Sequence, residues 1–216
     1  MLKPSLIERA AKIAVTAHAG QVRKGDSSPY VAHPFMVALM LVRHGFSDTV
    51  VAAALVHDVL EDTGFTEEKM REALGDEVTD IVKTVSEDKS LVWEERKEKY
   101  LETVRHGSPE AKAVSLADKI HNLESILTAH TSLGPAVWER FKRGKEKKLE
   151  LEEKMLAMFK EYLQHPMLEE YERLVEKLRQ VESSKESLQS LLSLFLLLVA
   201  KGISRAFIFL DYFFRY

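Results

Sequence analysis

Residues 50–56, Val-Val-Ala-Ala-Ala-Leu-Val, are apolar without interruption and run straight into His57, Asp58, Glu61 and Asp62. Ser47 can cap a helix through this stretch, and the helix is apolar enough to lie inside the protein. A carboxylate buried there without a partner is costly, so acids in such a place need a cation or a catalytic task. The fold must therefore bring partners to this helix. On a continuous helix His57 and Glu61 are four residues apart, as are Asp58 and Asp62, so all four lie on adjoining strips of one surface.

The rest of the chain reads as helix too. Leu6, Ile7, Ala10, Ala11, Ala14 and Ala17 repeat at helical spacing and predict a first helix ending near Gly20. A polar loop, GQVRKGDSSPY, leads to an apolar helix over 33–43 that stops at Gly45. Thr66 starts a short helix closed by Gly75, and further helices fit 77–85 and 93–105. Ser108-Pro109-Glu110 caps and opens another through Leu127. Long runs of β-branched alternation are missing, so the fold class is all-α. The 216 residues suit one domain, or one domain with an appendage. Gly134-Pro135 marks the expected edge of a core at 1–134, with a charged helical extension at 135–186 and an apolar tail at 187–216. Residues 142–154 are mostly charged and read as a solvated helix laced with i,i+4 pairs.

Composition removes several classes of function. Lys and Arg number 31 against 34 Asp and Glu, a net charge of -3, which argues against a nucleic-acid partner. The chain has no cysteine, which excludes disulfides and thiolate zinc sites. Its N-terminus reads as an amphipathic helix and not a signal peptide, so the cytoplasm is the default compartment. The tail is uncharged from 187 to 200 and falls short of the ~20 apolar residues that span a bilayer. The first expectation is that it packs on its own domain or on a second subunit in a homo-oligomer. Membrane-surface contact through 187–216 is a weaker expectation, and a segment foreign to the natural domain is a third.

Chemistry concentrates in three clusters: RKGDSSPYVAHP at 23–34, ALVHDVLEDT at 54–63 and SLADKIHNL at 115–123. Taken singly each has a plain reading: His33 as a cap or core histidine, Asp118-Lys119 as a surface pair. Taken together, His33, His57, Asp58 and Asp118 offer neutral nitrogen and anionic oxygen ligands from three helices. Such a sulfur-free set suits Mn²⁺, with Fe²⁺ and Zn²⁺ as alternatives. Glu61 and Asp62 would then sit beside the ion, able to orient or deprotonate a water.

The order RKxxxxPYxxHP, ALxHDxxEDT and LADKxxNL resembles the HD-domain metal-dependent phosphohydrolases. Within them it is similar to the alarmone hydrolase branch, the hydrolase half of RelA/SpoT proteins and the free-standing metazoan SpoT homologues. The resemblance covers residues 13–127 and implies an HD-type helical bundle with additional C-terminal helices. It implies Mn²⁺ on His33, His57, Asp58 and Asp118, with Glu61 and Asp62 as the water-activating pair. It places Asn122 near the nucleotide sugar and Arg23 and Lys24 on the substrate, with Lys89, in VSEDKSL, lining the same cleft. The implied reaction is hydrolysis of the 3′-pyrophosphate of guanosine tetra- or pentaphosphate. Alternatives are an HD phosphohydrolase for another nucleotide, such as NADPH or a 3′-phosphorylated nucleotide, and a nucleotide-sensing module without turnover. One departure stands out: Ser115 occupies a position where many members carry lysine, so one phosphate contact is expected to be missing. Nothing after residue 135 resembles the synthetase domain of the long proteins.

Overall fold

A computed structural model describes residues 4–23 and 27–182, with Ser193 and Leu197 singly. Lys24 and nearly all of the apolar tail lie outside the described residues, and the expectations made for them lie there too. Among the described residues ten α-helices follow in order: α1 (Leu6–Ala17), α2 (Ala32–Arg43), α3 (Asp48–Leu55), α4 (Val59–Asp62), α5 (Glu67–Leu74), α6 (Asp76–Val85), α7 (Trp93–His106), α8 (Pro109–Leu133), α9 (Gly144–Tyr162) and α10 (Met167–Gln180). A 3₁₀ segment, Gly134–Arg140, joins α8 to α9. Extended pairing among the described residues is a single bridge between Val22 and Pro29. None of the described helices is long and apolar enough to cross a membrane.

Two buried helices organise the bundle. α3 exposes almost nothing from Val50 to Leu55, and its three alanines let neighbouring backbones come close. α1, α2, α6 and α8 pack around it. α8 opens as its sequence prescribes, with the Ser108 hydroxyl accepting from the Ala111 amide and Pro109 in the first turn. It runs past Leu127 to Leu133 and ends at Gly134, whose φ of 57° terminates the helix. Its 25 residues make a rod about 37 Å long, buried along most of its first half.

Two sequence expectations are corrected. The segment after Ser47 is not one helix: α3 stops at Leu55 and α4 begins at Val59. The imidazole Nδ1 of His57 lies 2.7 Å from the Ala54 carbonyl, occupying an acceptor that a continuous helix would have used. Ser47 stands at the cap position in extended conformation, with no capping bond from its side chain. Nor is α9 merely a solvated helix. Leu151, Met155, Met158 and Phe159 join one core with Val137, Trp138, Met167, Tyr171 and Leu178, and Lys145 and Glu152 are buried among them.

Candidate functional site

The interruption between α3 and α4 is what builds the site. Neighbouring residues on a continuous helix point about 100° apart, yet here the His57 Nε2 and the Asp58 Oδ2 lie 3.1 Å from each other. Across from them α2 presents His33 and α8 presents Asp118. The His33 Nε2 is 3.0 Å from the Asp118 Oδ1 and 3.5 Å from the Asp58 Oδ2, and the His57 Nε2 is 3.6 Å from the Asp118 Oδ1. Four ligand atoms thus form a closed ring in which imidazoles and carboxylates alternate. Ligands about 2.1 Å from one ion and at right angles to each other stand about 3.0 Å apart, which two of these edges match and two exceed by about half an ångström; His33, His57 and Asp58 form the tightest group. The His57 Nε2 is buried and makes no hydrogen bond, and its Nδ1 faces the Ala54 carbonyl, so a neutral ring would turn its lone pair inward. An orphaned imidazole nitrogen inside a nitrogen and oxygen donor set fits a divalent metal.

The charges are mutually dependent. Burial opposes ionisation of Asp118, but Lys119, His33 and His57 outweigh it and hold the carboxyl well below its ordinary range. Burial likewise raises Asp58, and His57 and His33 pull it back below the usual value. His57 is disfavoured as a cation by burial, yet Asp58 and Asp118 hold it well above the ordinary histidine range. A divalent cation would take over the neutralising role that this proton plays.

Glu61 and Asp62 project from α4 beside the ring, with different surroundings. The Glu61 Oε2 accepts the Glu87 amide at 2.8 Å. Burial pushes Glu61 up to about 7, with the like charges of Glu87, Asp58 and Asp62 adding to the rise against that hydrogen bond. Asp62 is engaged on both sides, by the Lys89 ammonium on Oδ1 and by the Tyr30 hydroxyl, 3.2 Å away, on Oδ2. Lys89 also stands 3.6 Å from Glu61. At the rim, an Arg23 guanidinium nitrogen is 3.2 Å from the Asn122 Oδ1, and the Asn122 amide donates to the Asp118 Oδ1 at 2.6 Å.

Several residues that the sequence reading passed over also belong here. Tyr30 donates to the Asp58 Oδ2 at 2.6 Å; its place in PYVAHP, three residues before His33, was the available signal. The His121 ring stacks on His33 with the two Nδ1 atoms 2.7 Å apart, and burial first, then the charge of His33, lowers His121 to about 4. His121 lies one helical turn after Asp118, another legible hint. Lys119 is not a surface residue: it is 7% exposed, 3.3 Å from Asp118 and over the Tyr100 ring. Ser115 does reach the cleft, where its hydroxyl meets that of Tyr100 at 2.7 Å. Lys97 and Lys148, from α7 and α9, complete the lining of a polar cavity of about 190 Å³ that no motif foretold.

An all-α bundle with a candidate divalent-ion site of this make is the architecture of an HD-type hydrolase. Residues 10–141 match a family model described as HD domain, and the chain belongs to that family. It is 42% identical over 125 residues to a Xenopus tropicalis protein named guanosine-3′,5′-bis(diphosphate) 3′-pyrophosphohydrolase MESH1, spanning 56% of this chain and 70% of the relative. The Homo sapiens protein of the same name is 42% identical over 120 residues, spanning 54% and 67%. A solved structure of lmo0812 from Listeria monocytogenes EGD-e is 40% identical with a TM-score of 0.63, over 70% of this chain and 98% of its own. Another, described by the words "A metazoan ortholog of SpoT hydrolyzes ppGpp and plays a role in starvation responses", is 26% identical with a TM-score of 0.71, over 82% and 97%.

Proposed function

We propose that this chain hydrolyses the 3′-pyrophosphate of guanosine tetra- or pentaphosphate, releasing GDP or GTP and pyrophosphate, with Mn²⁺ on His33, His57, Asp58 and Asp118. The observation that carries the reading is the ring of those four ligand atoms with Glu61 beside it, in a chain related to enzymes named for that hydrolysis. When bound, the ion supplies Lewis-acid polarisation of the phosphoryl oxygen and makes a nearby water easier to deprotonate.

The chain's own groups divide the remaining work. Glu61 takes the proton of the attacking water: a carboxylate whose pKa is raised to about 7 exchanges protons near neutral pH, whereas Asp62 is engaged by Lys89 and Tyr30. The water oxygen joins the phosphorus next to the ribose, the bond from that phosphorus to the ribose 3′-oxygen breaks, and this oxygen gains a proton. Arg23, Lys24 and Lys89 offset substrate charge, and Asn122, tied to Asp118 and Arg23, positions the nucleoside side.

A panel of nucleotides with added Mn²⁺ tests the reading. Pyrophosphate released from guanosine tetraphosphate supports it. Orthophosphate released from NADPH or from a 3′-phosphorylated nucleotide would replace it with a broader phosphohydrolase, and binding without release would make the chain a sensor.

A further inference from the structure

We propose that Lys148 of α9 binds an anionic oxygen of the substrate's phosphate chain, held in place by Glu152 and, through it, by Tyr171 of α10. The inference rests on the hydrolase reading above and extends its substrate site to helices beyond the three motifs.

Three lysines from three helices share one wall of the cleft: Lys97 of α7, Lys119 of α8 and Lys148 of α9. Each has an internal anchor. Lys97 pairs with Glu87, Lys119 lies against Asp118 and the Tyr100 ring, and Lys148 pairs with Glu152. Their crowding is unfavourable in itself. Burial depresses Lys97 below the usual lysine value, and the ammonium groups of Lys119 and Lys148 push it further against the pull of Glu87. Such a cluster is relieved by an anion arriving in the cavity it lines.

Lys148 is the member best placed to meet that anion. Its side chain is 18% exposed, close to the 20% of Lys97 and against 9% for Lys119; Lys97 is the one that burial and its neighbours depress, and of the three donors of Lys148 Glu152 engages one. Glu152 itself is wholly buried and accepts the Tyr171 hydroxyl. Burial raises its carboxyl, but Lys148 and Lys119 overcome the effect and keep it below the ordinary glutamate value. A carboxylate fixed this firmly orients the ammonium it holds.

The register of α8 shows which part of the substrate lies there. Ser115, Asp118 and Asn122 succeed one another along one face, and Ser115 stands about 10 Å from Asn122. Arg23 and Asn122 mark one end, Asp118 and the ligand ring the middle, and Ser115 with Tyr100 the other end. Lys148 lines the same cavity, near enough to Lys97 to act on its charge, and its partner Glu152 feels Lys119, which lies over the Tyr100 ring. A nucleotide whose sugar lies toward Asn122 and whose phosphorus lies at the ring extends its remaining phosphate toward the lysines.

The test compares the metal-loaded full chain with its Lys148→Met, Lys148→Arg and Glu152→Gln variants on guanosine tetraphosphate. Lys148→Met should raise KM about tenfold with kcat within about twofold, because a charge-assisted contact to bound substrate is lost. Lys148→Arg should recover most of that loss, and Glu152→Gln should raise KM about threefold. Calorimetric titration of the same metal-loaded proteins with inorganic phosphate should weaken in parallel in Lys148→Met. If the wild-type chain hydrolyses no tetraphosphate, the reading of the reaction fails, and the phosphate titration still decides the role of Lys148. A Lys148→Met protein, or a Lys148→Gln protein should the first not fold, with wild-type KM and wild-type phosphate affinity would overturn the proposal. So would a lowered melting temperature with both quantities unchanged, because that outcome makes the pair purely structural.

Discussion

Two of the places where the molecule buries charge balance it in different ways. Around His57 the carboxylates of Asp58 and Asp118 face imidazoles, and one buried imidazole nitrogen is left without a hydrogen bond. Around Glu152 the carboxylate is met inside the protein by Lys148 and the Tyr171 hydroxyl. An unsatisfied donor set asks for something from outside, whereas a satisfied one can only hold shape or aim a neighbour. Buried carboxylates therefore make a candidate metal centre in one place and a brace in the other.

Removing an acid from the first cluster should have the largest effect. Asp118→Ala takes away a charged ligand, and we expect bound metal and turnover both to vanish, with a loss of stability because the ion would tie α2, α8 and the α3–α4 turn together. Stoichiometric metal in that variant by elemental analysis would break the contrast. Glu61→Gln should leave the metal in place and lower kcat on the order of 10²-fold, with KM little changed, because shape is kept and the base is lost. Near-normal kcat would transfer the role to another group.

The effect of pH is smaller and has a definite sign. Glu61 must be ionised to accept a proton and its carboxyl is raised to about 7. Activity should therefore fall as pH drops through that region, by up to about tenfold per unit for one proton. A bound cation would move this limb to lower pH. In Glu61→Gln the residual rate should lose that limb, and a limb that survives would exclude Glu61 as its source. The second cluster should respond least at the metal. Tyr171→Phe strips one hydrogen bond from a wholly buried carboxylate and should cost about 1–3 kcal/mol in denaturant unfolding, with metal content unchanged. Loss of metal in that variant would show that the two clusters are not independent.

Much of the first cluster was legible in the chain itself. His33, His57, Asp58 and Asp118 lie in apolar surroundings, where a polar side chain announces itself by the cost of burying it. The caps at Ser108 and Thr66 and the stops at Gly45 and Gly75 could be read because they are local, set by hydrogen bonds and backbone angles within a few residues. The break at His57 was not legible. Val50 to Asp62 has the periodicity of one helix, and the break comes from a side chain taking the Ala54 carbonyl while its ring turns toward two other helices.

What the sequence by itself determined is the helical class, the position of most helices and the identity of the polar residues set into the apolar core, since all of these follow from spacing and burial cost along the chain. Only the tertiary structure decided how those residues meet: that Glu61 is raised, that the His57 Nε2 is left bare, and that Lys97 and Lys148 reach a cleft whose motifs end at residue 123. Charges on α9 look alike in sequence whether they face water or Tyr171. The difference lies in the helices packed against them, and that contact is nonlocal.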